Sequence, residues 1–263
     1  MVDSKTKKII SISEKPGTFG VEFHNKGYEL LGLNYIYIPL KINKDELKIA
    51  MQIVRDNFHG CSVSMPHKIK VIEYLDAFDE SAELTGAVNT ILNKNRYFTG
   101  FNTDFDGAKK AIEGVLDIKD KEVVMIGAGG AARAIGLAVK NLGGKLTITN
   151  RTSNKGKELA ERLKCNYLNY GDLKQVSGYL LINGTSVGMD NPLEMIVDNS
   201  VISRFEAIMD VVIPGKRLLE ESKRQHKIVI PGKTMTLYQA AKQFKIYTGK
   251  ELPKEFIDRM LNN

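Results

Sequence analysis

One segment constrains this chain more than any other. The apolar run Val123-Val124-Met125-Ile126 leads without a break into Gly127-Ala128-Gly129-Gly130-Ala131-Ala132, and a helical period follows until two glycines, Gly143 and Gly144, stop it. Strand, glycine turn and helix in that order fit G-x-G-x-x-A, a pattern that holds the pyrophosphate of a dinucleotide. Gly127 permits the tight turn, Gly129 lets the backbone approach the phosphates, and Ala132 keeps the helix close to the sheet. The helix N-terminus, including Ala128, Gly130 and Ala131, presents unpaired N–H groups to the anion. A ligand-free glycine turn has the same local sequence. The second strand at the expected spacing, Lys145-Leu146-Thr147-Ile148-Thr149-Asn150, is what favours a cofactor here.

The end of that second strand decides which cofactor. An acid there would bind the ribose 2′-hydroxyl of NAD. This chain instead has Asn150-Arg151-Thr152, with Lys155 close behind. The planar fork of an arginine suits a phosphate dianion, so NADP is expected rather than NAD.

Around this unit, strand-like and helix-like stretches alternate, which marks an α/β protein. Residues 7–13 read as a strand, Phe19 to Leu31 as a helix, NYIYIPL as a strand, 44–57 as a helix and HGCSVSM as a strand. A helical stretch is expected after Pro66, then two strands, AVNTILN and RYFTGFN, across a polar turn. The second cycle adds the helix KGKELAERLK, the strands YLLING, FEAIMDVVI and KIVIPG, and two closing helices. Right-handed crossovers predict parallel sheets. Two α/β domains are expected: residues 1–104, joined by the closing helices of about 235–263, and a Rossmann-like domain over 105–234. The net charge of +7 on 263 residues comes from lysines and arginines interleaved with acids, as on solvated helix faces. Neither nucleic acid nor membrane is an expected partner, and no apolar stretch reaches the length of a membrane span. Two cysteines, Cys61 and Cys165, make neither a disulfide framework nor a metal site. The cytoplasm is the expected compartment.

In the first domain three segments end in polar residues: Ser62-Val63-Ser64-Met65-Pro66-His67-Lys68, Ala87-Val88-Asn89-Thr90 and Asn102-Thr103-Asp104. Ligands of α/β sheets sit outside the carboxyl ends of strands. Alternation puts Ser62 and Ser64 on one face, and Pro66 turns the chain toward Lys68. Taken alone, Lys68 is an ordinary solvated lysine, and Asn102 and Thr103 are helix caps.

Taken together, the segments resemble the shikimate dehydrogenase family over nearly the whole chain. GCSVSMPHK is similar to the family's N-V-T-x-P-x-K, and GAVNT (86–90) and GFNTDFDG (100–107) to its substrate and N-T-D segments. GAGGAARA with NRT resembles its NADP site, INGTSVGM (182–189) its I-N-x-T-x-x-G-M, and PGKTMTLYQAA its closing substrate helix. The resemblance implies NADPH-dependent, reversible reduction of 3-dehydroshikimate to shikimate, a step toward the aromatic amino acids. It implies Lys68 and Asp104 as the acid–base pair, and Thr18, Gly20, Ser64, Asn89 and Gln239 at substrate positions. It implies Thr185, Val211 and Gly232 on the nicotinamide side, no metal, and a homodimer as one assembly to expect.

The chain departs from the family at several places. The family's S-x-S-P carries two hydroxyls for the substrate carboxylate; here Thr18 keeps one and Gly20 drops the other. Ser62 replaces an asparagine, Ile213 a tyrosine in D-x-x-Y, and PGKRLLEE is shortened. KPGTFG resembles a shikimate-dehydrogenase-like branch. The alternatives are therefore a quinate or other cyclic hydroxy-acid dehydrogenase, and a non-catalytic NADP-binding regulator, which needs neither Lys68 nor Asp104.

Overall fold

The computed structural model describes residues 3–213 and 217–262. The strand β1 (Lys7–Ser13), the helix α1 (Phe19–Leu30) and the strand β2 (Tyr35–Lys41) form a first βαβ unit, with β1 and β2 parallel. A 3₁₀ turn at Lys44–Glu46 leads into α2 (Leu47–Asn57), followed by β3 (Gly60–Val63), β4 (Ala77–Phe78), α3 (Glu80–Thr85), β5 (Thr90–Lys94) and β6 (Tyr97–Phe101). After α4 (Thr103–Glu113) come β7 (Glu122–Ile126), α5 (Gly130–Asn141), β8 (Lys145–Thr149), α6 (Ser153–Arg162), β9 (Asn166–Leu168) and β10 (Gly178–Asn183). The chain closes with α7 (Asn199–Ile202), β11 (Phe205–Asp210), α8 (Arg217–Arg224), β12 (Ile228–Pro231), α9 (Gly232–Thr248) and α10 (Lys254–Asn262). Two compact units result: residues up to Thr103 with those from Gln239 onward, and Asp104–Tyr238.

The first unit's sheet runs β2-β1-β3-β5-β6-β4. The expectation of parallel sheets needs correcting here, because β5 is antiparallel to both β3 and β6. The cause is local. Asn95 and Arg96 adopt φ of 55° and 68°, the left-handed pair of a two-residue hairpin, and such a turn joins only antiparallel strands. The helix expected after Pro66 is a 3₁₀ piece at Lys70–Tyr74. It stops because Asp76 leaves for β6, accepting the Phe98 amide on its carboxylate (2.7 Å) and donating its own amide to the Phe98 carbonyl (3.0 Å). One face of this sheet buries Ile10, Ile12, Val63 and Ile91 against Leu47, Met51 and Val54 of α2. The other face is aromatic, with Phe23, His24 and Tyr28 of α1 against Phe244 and Tyr247 of α9 and Phe256 of α10.

The second unit's sheet is parallel throughout, in the order β12-β11-β10-β7-β8-β9. The chain starts at β7, moves outward through β8 and β9, then returns to β7's other side with β10. This is the doubly wound order, with its switch point between β7 and β10. Alternate residues of β7 serve the two faces: Val123 and Met125 meet α5 and α6, while Val124 and Ile126 meet Ile202 and Leu218. Burial on both faces explains why β7 reads as an unbroken apolar run. Among the described residues no helix is long and apolar enough to cross a membrane, and no group of three or more His, Cys, Asp or Glu side chains is placed to hold a metal.

Candidate active site

In the second unit the carboxyl ends of β7, β8, β10 and β11 are tied together. The Gly127 amide donates to the Thr149 carbonyl (2.9 Å), the Gly184 amide to that of Ile126 (2.8 Å) and the Val211 amide to that of Asn183 (3.2 Å). Gly127 has φ +123°, and a β-carbon there would stand 2.8 Å from the Gly184 carbonyl oxygen, so only glycine fits. Gly129 is the opposite case: a β-carbon there would meet no atom within 4 Å, at an ordinary φ of −80°. The protein's own packing does not require that glycine, whereas a phosphate approaching the backbone does. The 12-residue helix α5 starts at Gly130 with no side-chain cap, leaving its first amides directed at that space. Buried Ala132 lies 3.3 Å from where a Gly184 β-carbon would be, which brings the helix against the β10 turn. These features fit a dinucleotide pyrophosphate.

At the next strand end, Arg151, Thr152 and Lys155 are all exposed, and Asn150 donates its side-chain amide to the Thr152 carbonyl (2.8 Å). The first turn of α6 holds no acid. The arrangement fits a ribose phosphate better than a bare hydroxyl.

The expected nicotinamide-side residues come together within this unit. Thr185 is held by Asn183, whose side-chain oxygen accepts from the Thr185 amide (3.1 Å) and hydroxyl (2.7 Å). Gly232 packs so closely on Val211 that a β-carbon would lie 2.5 Å from the Val211 carbonyl. Sequence reading missed Asp210, which accepts from the Asn183 amide (2.9 Å) and the Val212 N–H (3.1 Å) and so braces both turns. Burial pushes its carboxyl up to about 6, against those two hydrogen bonds, which lower it. Ile213 is 42% exposed. Pro214, Gly215 and Lys216 of the shortened PGKRLLEE segment lie outside the described residues. Asp104 is buried in the first turn of α4.

In the first unit, the antiparallel β5 brings its start beside the ends of β3 and β6, because Ser62 is level with Thr90 and Thr90 with Phe101. Asn89 is the hub. Its side-chain oxygen accepts from Thr90 Oγ1 (2.8 Å) and the Thr103 amide (2.9 Å), and its Nδ2 donates to Thr103 Oγ1 (3.0 Å) and Gln239 Oε1 (3.4 Å). Lys68 is half-buried, and its carbonyl accepts from the Val88 amide (2.8 Å), which places the turn bearing it beside the Asn89 segment. Ser64 is exposed just beyond β3, and its amide donates to the Ile12 carbonyl (3.0 Å). Thr18 is the exposed N-cap of α1 and Gly20 lies in that helix's first turn. Asn102 donates its side-chain amide to Thr85 Oγ1 and the Ala87 carbonyl (both 3.0 Å), while Thr103 joins the Asn89 cluster.

Ser62 differs from Ser64 although alternation puts them on one face. Ser62 is buried, sharing a 2.8 Å hydrogen bond with the Tyr247 hydroxyl and donating to Gln243 Oε1 (3.3 Å). Gln243 also donates to Thr90 Oγ1 (2.9 Å) and the Asn89 carbonyl (3.2 Å). Gln243 lies one helical turn beyond Gln239, and that i, i+4 spacing is the signal that marks it.

Residues 18–91 match the family model described as shikimate dehydrogenase substrate binding domain, and residues 107–206 that described as shikimate / quinate 5-dehydrogenase. The chain is 36% identical to a shikimate dehydrogenase (NADP(+)) of Methanobrevibacter smithii, over 99% of this chain and 98% of that one. Among solved structures it is similar to a shikimate 5-dehydrogenase-like protein (31% identity, TM-score 0.86, covering 100% and 98%). It is also similar to the shikimate 5-dehydrogenase of Thermus thermophilus in complex with NADP(H) and shikimate (26% identity, TM-score 0.87, covering 98% and 99%).

Proposed function

The chain belongs to the shikimate dehydrogenase family, and from that premise we infer that it reduces 3-dehydroshikimate to shikimate reversibly with NADPH, on the route to the aromatic amino acids. NADPH, when bound, would supply the hydride for the substrate carbonyl carbon. The oxygen left behind needs a proton. Lys68 and Asp104 deliver it as an acid–base pair and take it back when shikimate is oxidised. Asn89, Gln239, Ser64 and Thr18 hold the ring hydroxyls and carboxylate. Arg151, Thr152 and Lys155 hold the 2′-phosphate, and the amides of Gly127–Ala131 hold the pyrophosphate.

The observation that carries this reading is the convergence at Asn89. Segments far apart in the chain, with Thr90, Thr103 and Gln239, meet there beside the turn that bears Lys68. Gly20 and Ile213, each lacking a hydroxyl, favour quinate or a related cyclic hydroxy acid as the second reading. The two are separated by a panel of shikimate, quinate and simpler hydroxy acids with NADP and with NAD, followed by nicotinamide absorbance. Shikimate with NADP is expected to give the highest kcat/KM. A higher value for quinate replaces the first reading by the second, and tight NADP binding without turnover of any acid replaces both by a regulatory role.

A further inference from the structure

Gly20 leaves the substrate position short of a hydroxyl, and the first unit places another hydroxyl beside the gap. A β-carbon at Gly20 would lie 3.1 Å from the Tyr37 hydroxyl oxygen and 3.3 Å from its ring edge. The phenol therefore stands where a side chain at residue 20 would begin. We propose that Tyr37 replaces the missing donor, its hydroxyl binding the carboxylate of the cyclic hydroxy acid together with Thr18 and the first amides of α1. The proposal rests on the shikimate reading above.

Tyr37 is built to hold this position. It is 3% exposed, and its ring stacks on that of His24 with centroids 4.4 Å apart and planes 8° from parallel. Asn25 clamps its backbone on both sides, accepting from the Tyr37 amide (2.9 Å) and donating to the Tyr37 carbonyl (3.0 Å). A donor fixed in this way loses little entropy when a ligand arrives. The neighbours of the phenol oxygen are the hydroxyls of Ser62 and Ser11. Ser62 continues the chain to Tyr247 and Gln243. Four hydroxyls and one amide form this cluster without a carboxylate, so none of its members carries a negative charge that would repel an anion. Hydrogen-bonded hydroxyls polarise one another, which strengthens the donor at the end of the chain. Burial pushes the phenol up to about 12, so it arrives protonated at neutral pH.

A second feature points to the same anion. Helix α1 is 12 residues long, and its N-cap, Thr18, makes no side-chain cap hydrogen bond. Its first amides carry the positive end of the helix dipole. The one acid of that turn, Glu22, is paired with Lys26 at 2.5 Å. Tyr37 faces this turn directly through Gly20.

The test is Tyr37→Phe, which removes one oxygen and keeps the ring. KM for shikimate is expected to rise about tenfold or more, as when a hydrogen bond to a charged group is lost, while kcat and KM for NADP change less than about twofold. Methyl shikimate, which has no carboxylate charge, should be used equally well by both proteins. Gly20→Ser added to Tyr37→Phe restores a hydroxyl in the space the phenol oxygen leaves and should recover most of the shikimate KM. An unchanged KM in Tyr37→Phe overturns the proposal, and so does equal loss for acid and ester without rescue, which assigns Tyr37 to packing alone. The shikimate reading fails separately. If the wild type binds shikimate by calorimetry without turning it over, weaker binding to Tyr37→Phe still supports the carboxylate contact and unchanged binding overturns it. Neither binding nor turnover overturns both.

Discussion

Arg151 stands exposed at the end of β8, and no acid of the α6 first turn competes for it. Its guanidinium is therefore available to a phosphate that only NADP carries. Arg151→Ala is expected to weaken NADP by about 1.5–3 kcal/mol, the scale of a hydrogen bond to a charged group, and to leave NAD nearly unchanged. Titration of both cofactors checks this, and equal losses would remove the assignment. Lys68 calls for the complementary experiment. Its turn is anchored through the backbone, with the Lys68 carbonyl accepting from Val88, so removing the side chain spares the turn. Lys68→Ala should lower kcat by about 10²–10⁴, the usual range for a lost acid–base group. NADP binding should survive, since Lys68 lies outside the second unit. Turnover at the wild-type rate would mean that the amine is only a surface charge.

At the scale of elements, two glycines of one fingerprint should part company. Gly127→Ala puts a β-carbon 2.8 Å from a carbonyl oxygen at φ +123°, and should cost more than about 2 kcal/mol of stability. Gly129→Ala meets no protein atom, so its thermal midpoint should hold or rise slightly. NADP affinity should nevertheless fall by about an order of magnitude, as amide contacts to the phosphates are lost. A Gly129→Ala protein that binds NADP normally would show that no ligand approaches this backbone. The strand–glycine–helix element was legible in the sequence because its determinants are local and consecutive. So were the β5–β6 hairpin turn and β1, which spans the expected residues 7–13. A helical stretch after Pro66 was legible, but its shortness and 3₁₀ form were not, because the pairing of Asp76 with Phe98 depends on a partner 22 residues away. The Ser62, Gln243 and Tyr247 cluster was hidden for the same reason. Ser62 lies about 180 residues from Gln243 and Tyr247, and although the helix period puts those two on one face, nothing local records that Ser62 meets them. In the site, motif positions were readable one by one, while Tyr37 carried no signal until Gly20 was seen beside it.

At the scale of the whole molecule, the two units should answer acid with opposite sign. His24 is fully buried in the first unit among Tyr37, Phe23, Phe244, Tyr28 and Tyr247. Its Nε2 has Gln243 Oε1 at 3.4 Å and its Nδ1 has no partner. Burial lowers its pKa to about 3, against an ordinary value of 6.5, despite the Gln243 hydrogen bond that raises it. The unfolded chain then binds a proton that the folded unit refuses, so stability falls as pH drops from about 6.5 toward 3. The slope is at most about 1.4 kcal/mol per pH unit. Asp76 in the same unit is held below its ordinary value, chiefly by the Phe98 amide, and adds a loss of the same sign at lower pH. Asp210, in the second unit, is raised to about 6 by burial. Between pH 6 and 3.8 the folded form binds the extra proton, and this group's contribution to stability grows as pH falls. Each unit has its own core, so calorimetry should resolve two transitions, and NADP identifies the second unit by raising its midpoint. From pH 7 to 4.5 the transition insensitive to NADP should lose about 2.5 kcal/mol, and the other should hold or rise. His24→Gln, less stable at neutral pH, should flatten the first slope and leave the second alone. A first-unit slope that is the same with and without the imidazole would show that His24 titrates normally and that its burial does not set the acid response.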